Sequence, residues 1–380
     1  MEILSRREFS QRIFAYTQAL VLTASGASYA TAASPEIGLS SSDINLLIDA
    51  NRPGARAVPP DFDVGIAHVR GGYSFTKKPF LVEGAKKIHS LGTRTAKFWL
   101  MPKSVAKDYR PRSNWQGADE LSLAQLVEHE YFQQALALPF TTIVLETRSA
   151  PEEQSWQTHN FQPSYYRSIS FEYYQLARSL YKTYRKVPKT FILQNWEGDH
   201  DLRGAVNERW EIVPADAEER CNKMQQVLKS RQQGVEKARG EFGRNSLCAV
   251  LNAIEVNNVV DALTDRVPTV TNQVLPFTRS DLVSYSSYDS LSDPELFFRA
   301  LRKIREKATK EIYIGELGIP EYAEPDDISQ RLDRLFGAAI AAGVRRILIW
   351  QLYDNEGSGF GLIRRDGTAS ETLSYIEQFL

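Results

Sequence analysis

The chain of 380 residues sets 46 Lys and Arg against 47 Asp and Glu, for a net charge of −1 and a pI near 6.6. No basic surplus points to nucleic acid, and no acidic block to a solvated tail. With 42% hydrophobic residues and only two cysteines, this is an ordinary globular composition with a sizeable core, not a disulfide scaffold. Cys221 falls in a charged helical stretch and Cys248 opens an apolar run, so two free thiols are expected.

The first residues, "MEILSRREFSQRIFAYTQALVLTASGASYATAAS", place a basic segment before an apolar one and end on small residues at Ala30-Thr31-Ala32. That order is what an export signal needs. Within it "SRREF", Ser5 to Phe9, resembles the bacterial twin-arginine signal, departing from it at Ser10 and Gln11. The expectation is a signal peptide over 1–32, a mature chain beginning near Ala33, and a periplasmic or secreted location. Residues 33–59 read as a polar lead-in, and 60–380 as the folded domain.

From Pro59 onward short apolar runs alternate with amphipathic ones. The runs are "DFDVGIAHV", "TRTAKFWLM", "FTTIVLETR", "TFILQNW", "SLCAVLNAIEV", "DLVSYSSYD", "EIYIGELG" and "RRILIWQLYD". Each is rich in Val, Ile, Phe or Tyr and turns polar at its C-terminal end, as buried parallel strands do. Helical patterns lie between them: "EGAKKIHSLG" with Gly92 as a stop, "SFEYYQLARSLYKTYRK", "DPELFFRALRKIREKATK", "DISQRLDRLFGAAIAAG" closing on Gly343, and "ETLSYIEQFL" after the last strand. Eight such repeats predict a single α/β domain, a (β/α)8 TIM barrel. A doubly wound sheet is the competitor, but "GIAHVRGGYS" after the first strand lacks the G-x-G-x-x-G turn. Length beyond a minimal barrel falls in the lead-in, in "MPKSVAKDYRPRSNWQGADE", and in the charged stretch 200–240.

In such a barrel the strands' C-terminal ends build the active site. They present His68 and Arg70, Lys97 and Trp99, Glu146 and Arg148, then Asn195, Trp196 and Glu197. Strands five to eight add Asn252 and Glu255, Ser286 and Tyr288, Glu316, and Trp350 with Gln351. Glu197 and Glu316 stand out as carboxylates from opposite sides of one mouth. Cleaving an acetal needs one carboxyl to protonate the departing oxygen and one carboxylate under the developing oxocarbenium ion.

At strands four to eight the sequence resembles the clan of retaining (β/α)8-barrel glycoside hydrolases that includes cellulase- and mannanase-like enzymes. "GELG", Gly315 to Gly318, is similar to its strand-seven nucleophile pattern, and "LIWQLYDNEG" carries its strand-eight Trp as Trp350. "SGFGLIRRDGTASET" resembles the closing segment, and "DLVSYSSYD" its strand six, with Ser286 in place of a common His and Tyr288 keeping the Tyr. There are two departures: Trp196 separates Asn195 from Glu197, where Asn and Glu are usually adjacent, and Lys97 replaces a common strand-two Arg. The resemblance implies Glu316 as nucleophile and Glu197 as general acid/base. Asn195, Trp196, Tyr288, Trp350, His68 and Trp99 are the candidate substrate contacts. Tyr288 is expected to hydrogen-bond Glu316, Trp196 to desolvate Glu197, and Trp350 to floor a sugar ring.

The resulting expectation is an exported retaining O-glycosidase acting on a poly- or oligosaccharide. It calls for no cofactor and no metal, no nucleic-acid partner, and no membrane contact after signal cleavage. The alternative is a non-catalytic sugar-binding pseudo-enzyme on the same barrel. A metal-dependent hydrolase built on "GDHD", Gly198 to Asp201, is a third and weaker reading, since no second cluster stands at ligand spacing. Glu146 and Glu255 are expected in ion pairs, and His68 serves equally well as a satisfied polar residue.

Overall fold

A computed structural model describes residues 39–153, 162–204, 210, 212–355, 357 and 359–380. The expected signal peptide over 1–32 lies outside the described residues. Contacts divide the chain into Met1–Ile44 and Asn45–Leu380. Of the first unit only residues 39–44 are described, and they enter helix α1, Ser41–Ala50.

The second unit holds eight strands: β1 (Asp63–Ala67), β2 (Thr95–Leu100), β3 (Thr142–Thr147), β4 (Thr190–Gln194), β5 (Ala249–Val256), β6 (Leu282–Ser286), β7 (Glu311–Leu317) and β8 (Arg346–Ile349). They pair in parallel in sequence order and close β8 onto β1, Asp63 opposite Arg346, so the TIM barrel is the observed fold. Each of the eight apolar runs supplies one strand. Alternate residues point inward, and Val144, Ile192, Ala253, Leu282, Tyr313 and Leu348 fill the interior. Gly65 is required by this filling, because a Cβ there would lie 2.4 Å from Leu348 and 2.6 Å from Thr95.

Around the barrel run α2 (Phe80–Ser90), α3 (Pro163–Tyr184), α4 (Gly198–Arg203), α5 (Ala217–Phe242), α6 (Pro294–Lys307), α7 (Ile328–Ala341) and α8 (Glu371–Ile376). Pro opens α3 and α6, where its missing N–H costs nothing. Gly92 and Gly343 follow α2 and α7 with φ of 99° and 83°, the left-handed stop expected of them.

Two regions differ from the sequence expectation. The charged stretch 200–240, read as excess length, is largely α5, a 26-residue barrel helix. It lies close against α3 at Gly234, where a Cβ would sit 2.2 Å from the Ser170 carbonyl oxygen. Its buried Arg231 donates to the Thr147 carbonyl (3.0 Å), to Thr147 Oγ1 (2.8 Å) and to Glu152 (2.9 Å), clamping the helix to the end of β3. After β5 the chain makes only the turn Val259–Ala262 and two short irregular helices over 270–277. From Asn45 onward the lead-in is packed structure: a Cβ at Gly337 of α7 would lie 2.7 Å from the Ile48 carbonyl oxygen. Cys221 and Cys248 are buried and unpaired. Among the described residues no helix is long and apolar enough to cross a membrane.

Candidate active site

Strand parity decides what the mouth contains. Inward positions at the C-terminal ends are Lys97 and Trp99 on β2, Glu146 on β3, Gln194 on β4, Glu255 on β5, Ser284 and Ser286 on β6, and Glu316 on β7. A register shift between β6 and β7 sets Ser286 opposite Glu316. Gly315 before it is held in a space with no room for a side chain: a Cβ would lie 1.9 Å from Ser284 Oγ and 2.7 Å from Glu255 Oε1.

Lys97, wholly buried, is the centre. Its Nζ donates to Glu146 at 2.6 Å and to Glu316 at 2.7 Å, and lies 3.8 Å from Glu255. Gln194 Nε2 donates to Glu146 (3.1 Å) and Glu255 (2.7 Å), while its Oε1 accepts from Tyr313 OH at 2.6 Å. Ser284 also donates to Glu255, at 3.0 Å. Burial works against the Lys97 ammonium, but the three carboxylates outweigh it and hold its pKa well above the ordinary value. Burial pushes Glu146 up to about 8 against the pull of Lys97, and raises Glu255 well above its usual range. Glu316 is also raised, by burial first, opposed by Lys97. One ammonium therefore serves three carboxyls, each raised by burial and each opposed by Lys97.

Glu197 follows β4 and stands across Ser286 from Glu316. Ser286 Oγ donates to Glu197 Oε1 at 3.0 Å, and His200 Nδ1 lies 2.9 Å from Oε2. The Glu197 backbone N–H donates to Glu255 Oε2 at 2.9 Å, which fixes the turn that carries the carboxyl. Asp199, one residue past the turn, accepts from the backbone N–H of Val270 (2.7 Å) and Asn257 (3.1 Å). Its burial raises it to about 6. Asp201 pairs with Arg148. The three polar members of "GDHD" thus hold three different neighbours and do not converge as metal ligands. Among the described residues the carboxylate group with ligand atoms within 4.8 Å of one another is Glu146, Glu255 and Glu316, and the Lys97 ammonium already bridges it.

Of the candidate contacts, the structure brings Tyr288, Trp99 and Trp350 to the mouth. Burial of the Tyr288 hydroxyl, with the Glu316 and Glu197 carboxylates near it, raises its pKa well above normal. The Trp99 and Trp350 rings lie 5.9 Å apart, and the Trp350–Gln351 peptide is cis. Trp196 sits on the rim, its ring 6.0 Å from His200 and 5.4 Å from the Arg148 guanidinium.

Two candidates do not reach the mouth as free groups. His68, one residue past the end of β1, has the outward parity. It is fully buried against α2, with Nε2 3.0 Å from the Phe80 carbonyl oxygen, and a Cβ on Gly84 would touch its ring at 2.1 Å. Burial lowers its pKa to about 4, so it is a neutral packing residue. Asn195, one past inward Gln194, accepts from the Glu255 N–H at 2.9 Å and donates to its carbonyl at 3.3 Å. Its amide thereby extends the pairing of β4 with β5, and the inward amide is Gln194. Gln194 was not among the expected site members, and His200 entered only the metal reading. For Gln194 the available signal was a polar residue at inward parity in an otherwise apolar strand.

No family model and no curated protein sequence matches the chain. Solved structures share its fold. An exo-β-1,4-mannosidase from Opitutaceae bacterium strain TAV5 is 15% identical with a TM-score of 0.52; the match covers 84% of this chain and 59% of the mannosidase, so this chain spans less than two thirds of that protein. A β-glycosidase is 14% identical with a TM-score of 0.52, over 84% of this chain and 96% of its own. A β-glucosidase from Exiguobacterium marinum is 13% identical with a TM-score of 0.50, over 85% and 98%. At such identities the likeness is one of fold, a barrel on which these glycosidases are built.

Proposed function

We propose that the chain is a glycoside hydrolase that cleaves glycosidic bonds of a poly- or oligosaccharide by double displacement with retention. The observation that carries this reading is Glu316, held by Lys97 at the end of β7, with Glu197 after β4 reaching the adjacent Ser286. Glu316 attacks the anomeric carbon while Glu197 gives its proton to the departing oxygen, leaving a glycosyl ester on Glu316. Glu197 then takes a proton from the water that cleaves the ester. The Lys97 ammonium and the Tyr288 hydroxyl stabilise the Glu316 carboxylate before attack and again as it is released. Trp350 and Trp99 form an apolar surface for the sugar's C–H face. Fold-sharing barrels described as a mannosidase and as β-glucosidases add support for a saccharide substrate.

Replacing Glu316 by Gln is expected to lower kcat on any cleaved saccharide by at least about 10³-fold, and Glu197→Gln similarly unless the leaving group is already activated. Full turnover by Glu316→Gln would end the reading. Saccharide binding by the native chain with no cleavage on long incubation would instead assign it as a sugar-binding pseudo-enzyme.

Export by the twin-arginine route, to the periplasm or beyond, is part of the proposal and rests on "SRREF" and the small residues before Ala33. N-terminal sequencing of protein from a bacterial periplasm should begin near Ala33. A start at Met1 there would contradict it.

A further inference from the structure

We propose that the saccharide bears an acidic substituent, a carboxylate or sulfate, and that Arg70 with Trp99 reads it. This rests on the glycosidase reading of the same site and adds its substrate class. Arg70 follows β1 with φ of 51°, a left-handed turn, and its backbone N–H donates to the Asp108 carbonyl at 2.8 Å. Its Nε donates to Asp108 Oδ1 at 2.6 Å, and Asp108 is held in turn by Ser104. The guanidinium is thereby laid over the Trp99 ring, 4.4 Å from its centroid. Trp99 adjoins Trp350, the sugar floor beside Glu316.

This stack has donors left over. Neither terminal nitrogen of Arg70 has a partner among the described residues, and the side chain keeps 36% of its surface in solvent. The Trp99 ring is 94% buried, yet its Nε1–H has no acceptor there. A planar guanidinium whose Nε is already committed, and whose outer N–H fork is free, matches two oxygens of a carboxylate or sulfate. A neutral sugar hydroxyl leaves half that fork unused.

The charge of the mouth agrees. The loops after β1 and β2, residues 68–79 and 101–120, carry seven Lys or Arg against three carboxylates, Asp108, Asp119 and Glu120. The loop after β7, residues 318–327, carries four carboxylates and no basic residue. In a chain of net charge −1 the basic flank is a local arrangement, on loops of two strands that neighbour neither β4 nor β7.

The experiment compares acidic polysaccharides with their own neutral derivatives. Each uronate polymer is paired with its carboxyl-reduced form, and each sulfated polymer with its desulfated form, so that backbone and linkage stay constant. For one such pair the native chain should show kcat/KM about ten- to a hundredfold higher on the acidic member. Arg70→Met and Arg70→Lys should both shrink that ratio toward one, since Lys keeps the charge but not the fork. Which pair responds identifies the anion as carboxylate or sulfate. Equal rates on both members of every cleaved pair would overturn the proposal and leave the hydrolase reading standing. The reverse case is covered by calorimetry on the Glu316→Gln variant with oligosaccharides from the same pairs. Tighter binding of the acidic member without cleavage by the native chain would uphold this proposal while the hydrolase reading fails. No preference in binding would overturn it.

Discussion

Lys97 faces three carboxyl groups at the barrel mouth, and in the proposed mechanism its position among them governs the ionisation of Glu316. Burial already raises the Glu316 pKa, and Lys97 is the largest influence opposing that rise. In the proposed mechanism Glu316 must be ionised to attack, so activity is expected to be lost as pH falls through its pKa in the free enzyme. In Lys97→Met the opposing influence is gone and the pKa climbs further. The acid limb of kcat/KM should therefore move to higher pH, with about tenfold less ionised nucleophile below it for each unit of displacement. A pH–rate profile whose acid limb stays in place would show that Lys97 is merely structural. Lys97 and the two glutamates on β4 and β7 were visible in the sequence as polar ends of apolar strands. Their convergence was not, because it depends on inward parity, which the sequence fixes only once the last paired residue of each strand is known. Gln194 ends β4, so Asn195 turns to the backbone of β5; Ala67 ends β1, so His68 turns to α2.

The strands were legible as elements because each apolar run is bounded by polar residues and glycine, and the helices α2, α6 and α7 because their apolar stripes repeat at helical spacing. Helix α5 was harder to place. Its buried stripe includes Arg231, Gln232 and Ser230 among Cys221, Met224, Leu228 and Val235, so the hydrophobic signal is diluted by polar groups whose partners are Thr147 on β3, Asn252 on β5 and, for Ser230, the Gln226 carbonyl of the same helix. The missing regular helix after β5 leaves no sequence mark other than Pro268 and Pro276. At this scale β7 is the most exacting element, since Gly315 lets it approach Ser284 and Glu255 while aiming Glu316 inward. Gly315→Ala forces a Cβ into that contact and should cost about 1–3 kcal/mol of stability. It should also lower kcat more than it raises KM, because the displaced atoms are those that position Glu316, the proposed nucleophile. Unchanged denaturation midpoint and kcat would refute the role given to this glycine.

For the whole molecule, closure of the barrel is what joins residues far apart in the chain. Lys97 and Glu316 are 219 positions apart, and Ser286 and Glu197 are 89, yet each pair makes a direct hydrogen bond. The mouth they form is polarised, basic on the flank of β1 and β2 and acidic on that of β7, and the carboxyls stand between aromatic surfaces. The proposed two-carboxyl reaction at that mouth has a stereochemical signature independent of which sugar is bound. The most direct measurement is proton NMR of the anomeric signal of the first-formed product, followed from the start of cleavage before mutarotation. The product is expected to appear with the anomeric configuration of the substrate, through an ester on Glu316. Appearance of the opposite anomer would contradict it, because the two carboxyls would then act on opposite faces through a water and Glu316 would not be the nucleophile.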